Sequence, residues 1–223
     1  MASDGPVRQV LDLNWRHRAW CNPRHPWFVV VCLCLVAPAG CGSHSPTAEK
    51  TTAARHRTAP TADVEAVADE LLDLVRQRLL LMHEVARWKW NAGKSITDER
   101  RERELLRDLE QRGLALGLER PTSRAFMAAQ IEAGKLVQEA DFKRWRDQGQ
   151  GQFADVRDLA SDLRPAIDHL SMELLAHIAQ LASLVDQANM RATIRKRGGR
   201  ILQGDGIDDT VRSAALRTLI AEP

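Results

Sequence analysis

The chain has 223 residues, a formal net charge of +2, 28% charged residues of mixed sign and 44% apolar residues drawn largely from Leu, Ala and Val. That length fits one domain with tails, and the balanced charge excludes the broad basic surface of a nucleic-acid binder. Aromatic residues are 4% with no Tyr, which favours helices over sheets.

Residues 1–41 carry all four cysteines, Cys21, Cys32, Cys34 and Cys41. Beyond Cys41 no disulfide or thiolate metal site can form. A basic flank at Arg24 and His25, an apolar run over residues 27–36 and the small residues that follow have the layout of an export signal. The run is too short for a transmembrane helix. Two processing routes are open. Ala37-Pro38-Ala39 fits a small-x-small cleavage rule, giving a soluble exported protein, periplasmic or secreted. Alternatively "AGCGS" resembles a lipoprotein box with Cys41 as the lipidated residue, although Pro38 stands where such a box carries Leu. Residues 42–60 are rich in Ser, Thr and Pro and read as a flexible tether.

Helical periodicity begins at about Thr61. A first long helix should run to Asn91, with a core stripe of Val64, Leu71, Val75, Met82 and Val85 and a C-terminal glycine at Gly93. The same rhythm places Arg78 and Lys89 on that stripe, about 16 Å apart along the axis. Cations there either snorkel to water or grip an anion. A second, shorter helix should start near Thr97, capped by Ser95 or Thr97, with Asp98 and Glu99 at its positive end. Asp98 and Arg101 share a face at i and i+3, and Glu102 joins them in the charge-rich run "DERRERE". A third helix should open at Pro121, capped by Thr122 or Ser123, and reach about Arg146. Its inner face collects Phe126, Gln130, Ala133, Gly134, Val137 and Gln138. A fourth, long helix follows the loop "DQGQGQ", with Leu163, Ile167, Leu170, Leu174, Ile178, Leu181 and Val185 alternating steps of four and three. Arg164 stands at its start, just before Pro165, which fits only the first turn or a kink. Residues 188–223 lack an apolar stripe until Val211, and "RATIRKRGGR" reads as a basic, solvated tail. The fold class is therefore all-α, a single-chain bundle of about four helices over residues 61–187. His83, His169 and His177 show no ligand spacing with carboxylates, and no nucleophile triad or glycine-rich phosphate loop is present in the pattern.

Arg78, Lys89 eleven residues later, Asp98 nine after that and Arg101 three further on resemble the all-helical chorismate mutases. "QIEAGKLVQ", residues 130–138, is similar to that family's third-helix motif, and the export signal points to the exported subclass. The resemblance covers about residues 64–187. It implies an isomerase that converts chorismate to prephenate in aromatic amino acid biosynthesis, with no cofactor and no metal. It further implies that Arg78, Arg101 and Arg164 hold the substrate's two carboxylates. Lys89 would meet a carboxylate and the ether oxygen, and Gln138 would donate to the same oxygen. Asp98 and Glu102 would contact the ring hydroxyl or lock the arginines, while Gly134 and Lys135 flank the pocket. Gly134 departs from the family's Ser or Thr and supplies no hydroxyl. The site is formed within one chain in this subclass, and homodimers are common in it. From the residues alone, the alternative is a non-catalytic exported bundle that binds a small anion.

Overall fold

The computed structural model describes residues 61–221. The expected export signal, including Cys41, and the tether over 42–60 lie outside the described residues. Six helices follow one another: α1 (Thr61–Asn91), α2 (Glu99–Ala115), α3 (Arg120–Asp147), α4 (Arg164–Leu184), α5 (Gln187–Ile201) and α6 (Asp209–Ile220). One turn of π-helix, Leu159–Leu163, leads directly into α4. Among the described residues there is no strand, and no helix is long and apolar enough to cross a membrane.

α1 runs 31 residues without Gly or Pro, about 46 Å of unbroken helix. Its stripe is buried as the periodicity predicts, with Val64, Leu71, Val75, Met82 and Val85 all in the core. Arg78 is buried among them. The helix stops where Gly93 takes φ +60°, a left-handed conformation that lets Lys94 N–H reach back to the Lys89 carbonyl at 2.9 Å. α2 is capped by Asp98, not by Ser95 or Thr97, its carboxylate accepting the Arg101 N–H at 3.0 Å. α2 and α3 pack closely at Gly113, where a Cβ would stand 2.0 Å from Ser123 Oγ. Ser123 is accordingly a buried packing residue and not a helix cap: α3 starts at Arg120, with Glu119 before it and Pro121 in its first turn.

α1 and α3 form the centre. α1 packs on α3, α4 and α5, α2 lies across α3 and α4, and α6 packs on α3 and α5. Leu71, Leu72 and Leu79 of α1 meet Phe126 and Val137 of α3, Leu174 and Leu181 of α4, and Leu216 and Leu219 of α6 in one core. Each fully buried side chain of this kind stabilises the fold by about 1.5–3 kcal/mol before chain entropy is counted.

The helix count corrects the four-helix expectation. Residues 187–220 form two further helices, and the basic stretch read as a solvated tail is α5. Its apolar stripe is Met190, Ile194, Gly198 and Ile201, and the glycine at its centre carries no hydropathy signal. Gly198 is buried because a Cβ there would meet Leu216 at 2.8 Å. The cations are not free either. Arg197 is ion-paired with Asp69 and Glu65 of α1, and Arg200 with Asp69. The Arg197 hydrogen bond holds the Asp69 carboxyl below its usual range.

The α5–α6 connection returns to the centre through His83. Its Nδ1 is 2.6 Å from Asp141 of α3 and its Nε2 is 3.0 Å from the Asp205 carbonyl. Arg144 reaches the other Asp141 oxygen at 2.6 Å. His83 therefore does meet a carboxylate, but one 58 residues away, which local spacing does not display. Both partners are acceptors, so only the imidazolium satisfies both ring nitrogens. Burial opposes that charge; the Asp141 and Asp205 bonds outweigh it, and the pKa is raised above 6.5. Because the folded-state value exceeds the unfolded one, the stabilisation is complete below about pH 6.5 and is lost as pH rises through the folded pKa. Thermal melts of the wild type and His83→Gln across about pH 6 to 9 are expected to converge as pH rises; parallel curves would count against the charged pair.

Candidate active site

Arg78 leaves the middle of α1 and crosses to α3. It is 3% exposed. Its Nη1 donates to the Gln130 carbonyl at 2.8 Å, and its Nε has no partner. Among the described residues no carboxylate pairs with it. Burial alone pulls its pKa down to about 10, so the guanidinium is still charged at neutral pH. An unpaired buried charge is strongly unfavourable. The arrangement stores an unmet demand for an anion.

Lys89 lies eleven residues further along the same face. The reversal after Gly93 brings the Ile96 carbonyl over its Nζ at 2.6 Å. Burial lowers its pKa, Glu102 and Asp98 oppose that shift, and Lys135 and Arg164 add to it. One ammonium thus feels four other residues of the expected site, drawn from the entrance to α2 and from α2, α3 and α4. Glu102 pairs with Lys135 at 3.0 Å. Asp98 caps α2 and thereby fixes the turn that carries Arg101. Arg101 is half-buried, and Arg164 is exposed at the start of α4.

The start of α4 is positioned by an aromatic cluster at the far end of α1. Trp90, Phe142 and Trp145 pack edge to face or tilted, with Phe153 on Trp145. Asn91 binds the Phe153 backbone on both sides, at 2.8 Å each, which anchors the α3–α4 connection. Asp158 then caps the π turn that delivers Arg164.

On α3, Gln138 is buried, its Nε2 donating to the Gly134 carbonyl at 3.0 Å and lying 3.7 Å from Met82 sulfur. Its Oε1 has no partner. Gly134 faces Arg78: a Cβ there would be 3.6 Å from Arg78 Nη1. Arg78, Gly134 and Gln138 are thus neighbours, and Lys89, Asp98, Glu102, Lys135 and Arg164 form a second, charged group. Arg101 is tied to it through the Asp98 cap alone. Sequence reasoning missed the Gln130 and Ile96 carbonyls, because main-chain acceptors leave no trace in residue type. It counted Met82 as core only. Gln138, expected by resemblance to donate to the ether oxygen, has its amide on the Gly134 carbonyl of its own helix.

A cleft of about 340 Å³ elsewhere, along the outer side of α2, is lined by Arg100, Arg103 and Arg124 among others. Those three are paired with Glu104, Glu99 and Glu110, so this cleft lacks the uncompensated charge of Arg78.

A helical bundle with a buried, unpaired arginine on its inner face agrees with comparison to known proteins. The family model for chorismate mutase type II matches residues 61–139. The crystal structure of chorismate mutase from Burkholderia thailandensis is similar at 32% identity and a TM-score of 0.60, over 69% of this chain and 99% of that one. Chorismate mutase from Burkholderia phymatum, at 21% identity and a TM-score of 0.61, shares the fold over 71% of this chain and 99% of that one. So does the secreted chorismate mutase from Yersinia pestis, at 23% and 0.56, over 67% and 94%. No curated protein matches. The chain belongs to the chorismate mutase type II family, isomerases that convert chorismate to prephenate.

Replacing Arg78 with Met removes a buried unpaired charge and keeps the volume. Urea unfolding should show stability unchanged or raised by up to about 2 kcal/mol, although the residue is in the core; a fall larger than that would mean the guanidinium is satisfied in the unliganded protein.

Proposed function

We propose that the rearrangement takes place on the face shared by α1, α2, α3 and the start of α4, with Arg78, Lys89 and Gln138 as the groups that act on the reacting atoms. The unpaired, buried Arg78 guanidinium is the observation that carries this reading. The substrate is a dianion, and its conversion is pericyclic: one C–O bond breaks as one C–C bond forms, with no proton transfer, nucleophile or metal required.

Arg78 takes one carboxylate through the Nη2 and Nε donors left over from Gln130. Arg101 and Arg164 approach from α2 and α4 to hold the second. Clamping both ends fixes the flexible enolpyruvyl arm over the ring, which removes the entropy of finding that shape. As the C–O bond breaks, negative charge gathers on the ether oxygen. Lys89 supplies a charged donor there. Gln138 has two amide hydrogens; one is committed to Gly134, and the other faces only a thioether, a weak acceptor. That second N–H exchanges readily for the ether oxygen. Asp98 and Glu102 serve by holding cations, Asp98 through the α2 cap and Glu102 through Lys135. No hydroxyl from position 134 enters the scheme.

The chain acts outside the cytoplasm in this reading, with residues 1–41 as export signal, 42–60 as tether and the bundle as catalytic unit. The basic flank, apolar run and small residues support export, and one structure of the same fold is described as a secreted enzyme. Soluble release into the periplasm and lipid attachment at Cys41 differ in the mass of the mature N-terminus. A homodimer is the assembly expected of the subclass, checked by sedimentation.

Lys89→Ala should lower kcat by about 10²–10³-fold, the usual consequence of losing one such donor, with the helical circular dichroism retained. Chorismate consumption is followed by ultraviolet absorbance. Binding of chorismate without turnover by the wild type would refute the enzymatic reading. In Gln138→Glu the side chain donates only when protonated, so activity should rise as pH falls, whereas the wild type keeps its activity from mildly acidic to neutral pH. A flat profile in the variant would remove Gln138 from the mechanism.

A further inference from the structure

A glycine in a helix interior is unfavourable by about 1 kcal/mol relative to Ala, so Gly134, buried in the middle of α3, calls for a reason. The reason is Met82. A Cβ on residue 134 would lie 3.0 Å from Met82 Cγ and 3.1 Å from its sulfur. The methionine of α1 stands so close that any side chain on residue 134 would have to push it aside. It is 5% exposed. Arg78 and Met82 are i and i+4 on α1, and Gly134 and Gln138 are i and i+4 on α3, so each pair shares a helix face. The two pairs oppose one another: Arg78 is bonded to the α3 backbone at Gln130, and the Met82 sulfur is 3.7 Å from Gln138 Nε2.

We infer that Met82 is a positioning residue of the site, matched to Gly134, which keeps the Arg78 guanidinium against α3 and holds the free N–H of Gln138 on an acceptor weak enough to be displaced. The inference rests on the site reading above. A void at position 82 would release both the guanidinium and the amide from their places. A strong acceptor there would capture the Gln138 N–H and withhold it from the ether oxygen. A thioether fills the space and does neither: it is polarizable, adaptable in shape and a poor hydrogen-bond acceptor.

Two measurements test this. The first is a four-cornered cycle of wild type, Met82→Ala, Gly134→Ser and the double variant, with kcat and KM determined for each on protein whose folding is verified by circular dichroism. Each single change should lower kcat/KM by about tenfold or more, one by opening a void and the other by driving the methionine out. The double variant, in which the serine occupies the vacated space, should recover to within about threefold of the wild type, a departure from additivity of the size seen for contacting residues. Losses that simply multiply would overturn the pairing. The second compares Met82→Leu, which fills the same space, with Met82→Gln, whose amide oxygen competes for Gln138. Met82→Gln should lose at least about tenfold more kcat than Met82→Leu at similar KM, because the donation it blocks is made in the transition state. Equal kcat for the two would overturn the weak-acceptor role, even if both are equally stable. Lys89→Ala separates the two levels of inference. If it stays active, the site reading fails. If it is inactive while the cycle is additive, the Met82–Gly134 pairing alone fails.

Discussion

Among the described residues one buried cation, Arg78, has no counter-charge. A guanidinium held inside a helical bundle by a single main-chain carbonyl is unfavourable in the resting protein, and the surrounding bundle must be stable enough to tolerate it. The core on both sides of Arg78 provides that margin, with Leu71, Val75 and Leu79 before and beside it and Met82 and Val85 beyond it. Sacrificing some stability at the site makes chemical sense for a reaction without acids, bases or metals. The only levers are holding the substrate in shape and meeting the charge that develops on one oxygen, and both call for donors that are already in place.

The rest of the site is arranged by devices that are individually ordinary. A left-handed glycine folds the chain back over Lys89. An aspartate cap sets the register of α2 and with it Arg101. An aromatic cluster and a bidentate asparagine fix the connection that delivers Arg164. Glu102 and Lys135 join α2 to α3 across the mouth of the charged group. None of these contacts is strong alone, but they draw groups from four helices around one ammonium.

Much of this was legible in the sequence, and the parts that were not share a physical cause. The bounds of α1 and the placing of Arg78 and Lys89 on its inner stripe follow from a period of 3.6 unbroken by Gly or Pro. α5 was hidden because its packing face is built around a glycine, whose contribution is room and not hydrophobicity, and because its cations meet acids of α1 more than a hundred residues earlier. The pairing of His83 with Asp141 was hidden for the same reason: it joins helices, and spacing along the chain speaks only for neighbours on one helix. Asp98 was placed at the positive end of α2 and, by resemblance, on the ring hydroxyl or the arginines; its carboxylate caps the helix and receives the Arg101 N–H. Main-chain acceptors such as Gln130 and Ile96 could not be seen at all, because every residue has one.

Gln130 does more than offer its carbonyl to Arg78. Its side-chain amide, fully buried, donates to the Ala215 carbonyl of the last helix at 2.8 Å. The residue therefore links the buried Arg78 to the C-terminal hairpin, whose joining loop carries the exposed Gly204 and Asp205. A single proteolytic cut in that loop would loosen α6 from α3 and with it the Gln130 carbonyl that holds Arg78. How long Arg78 keeps its place under proteolysis is then set by the hairpin's grip on α3.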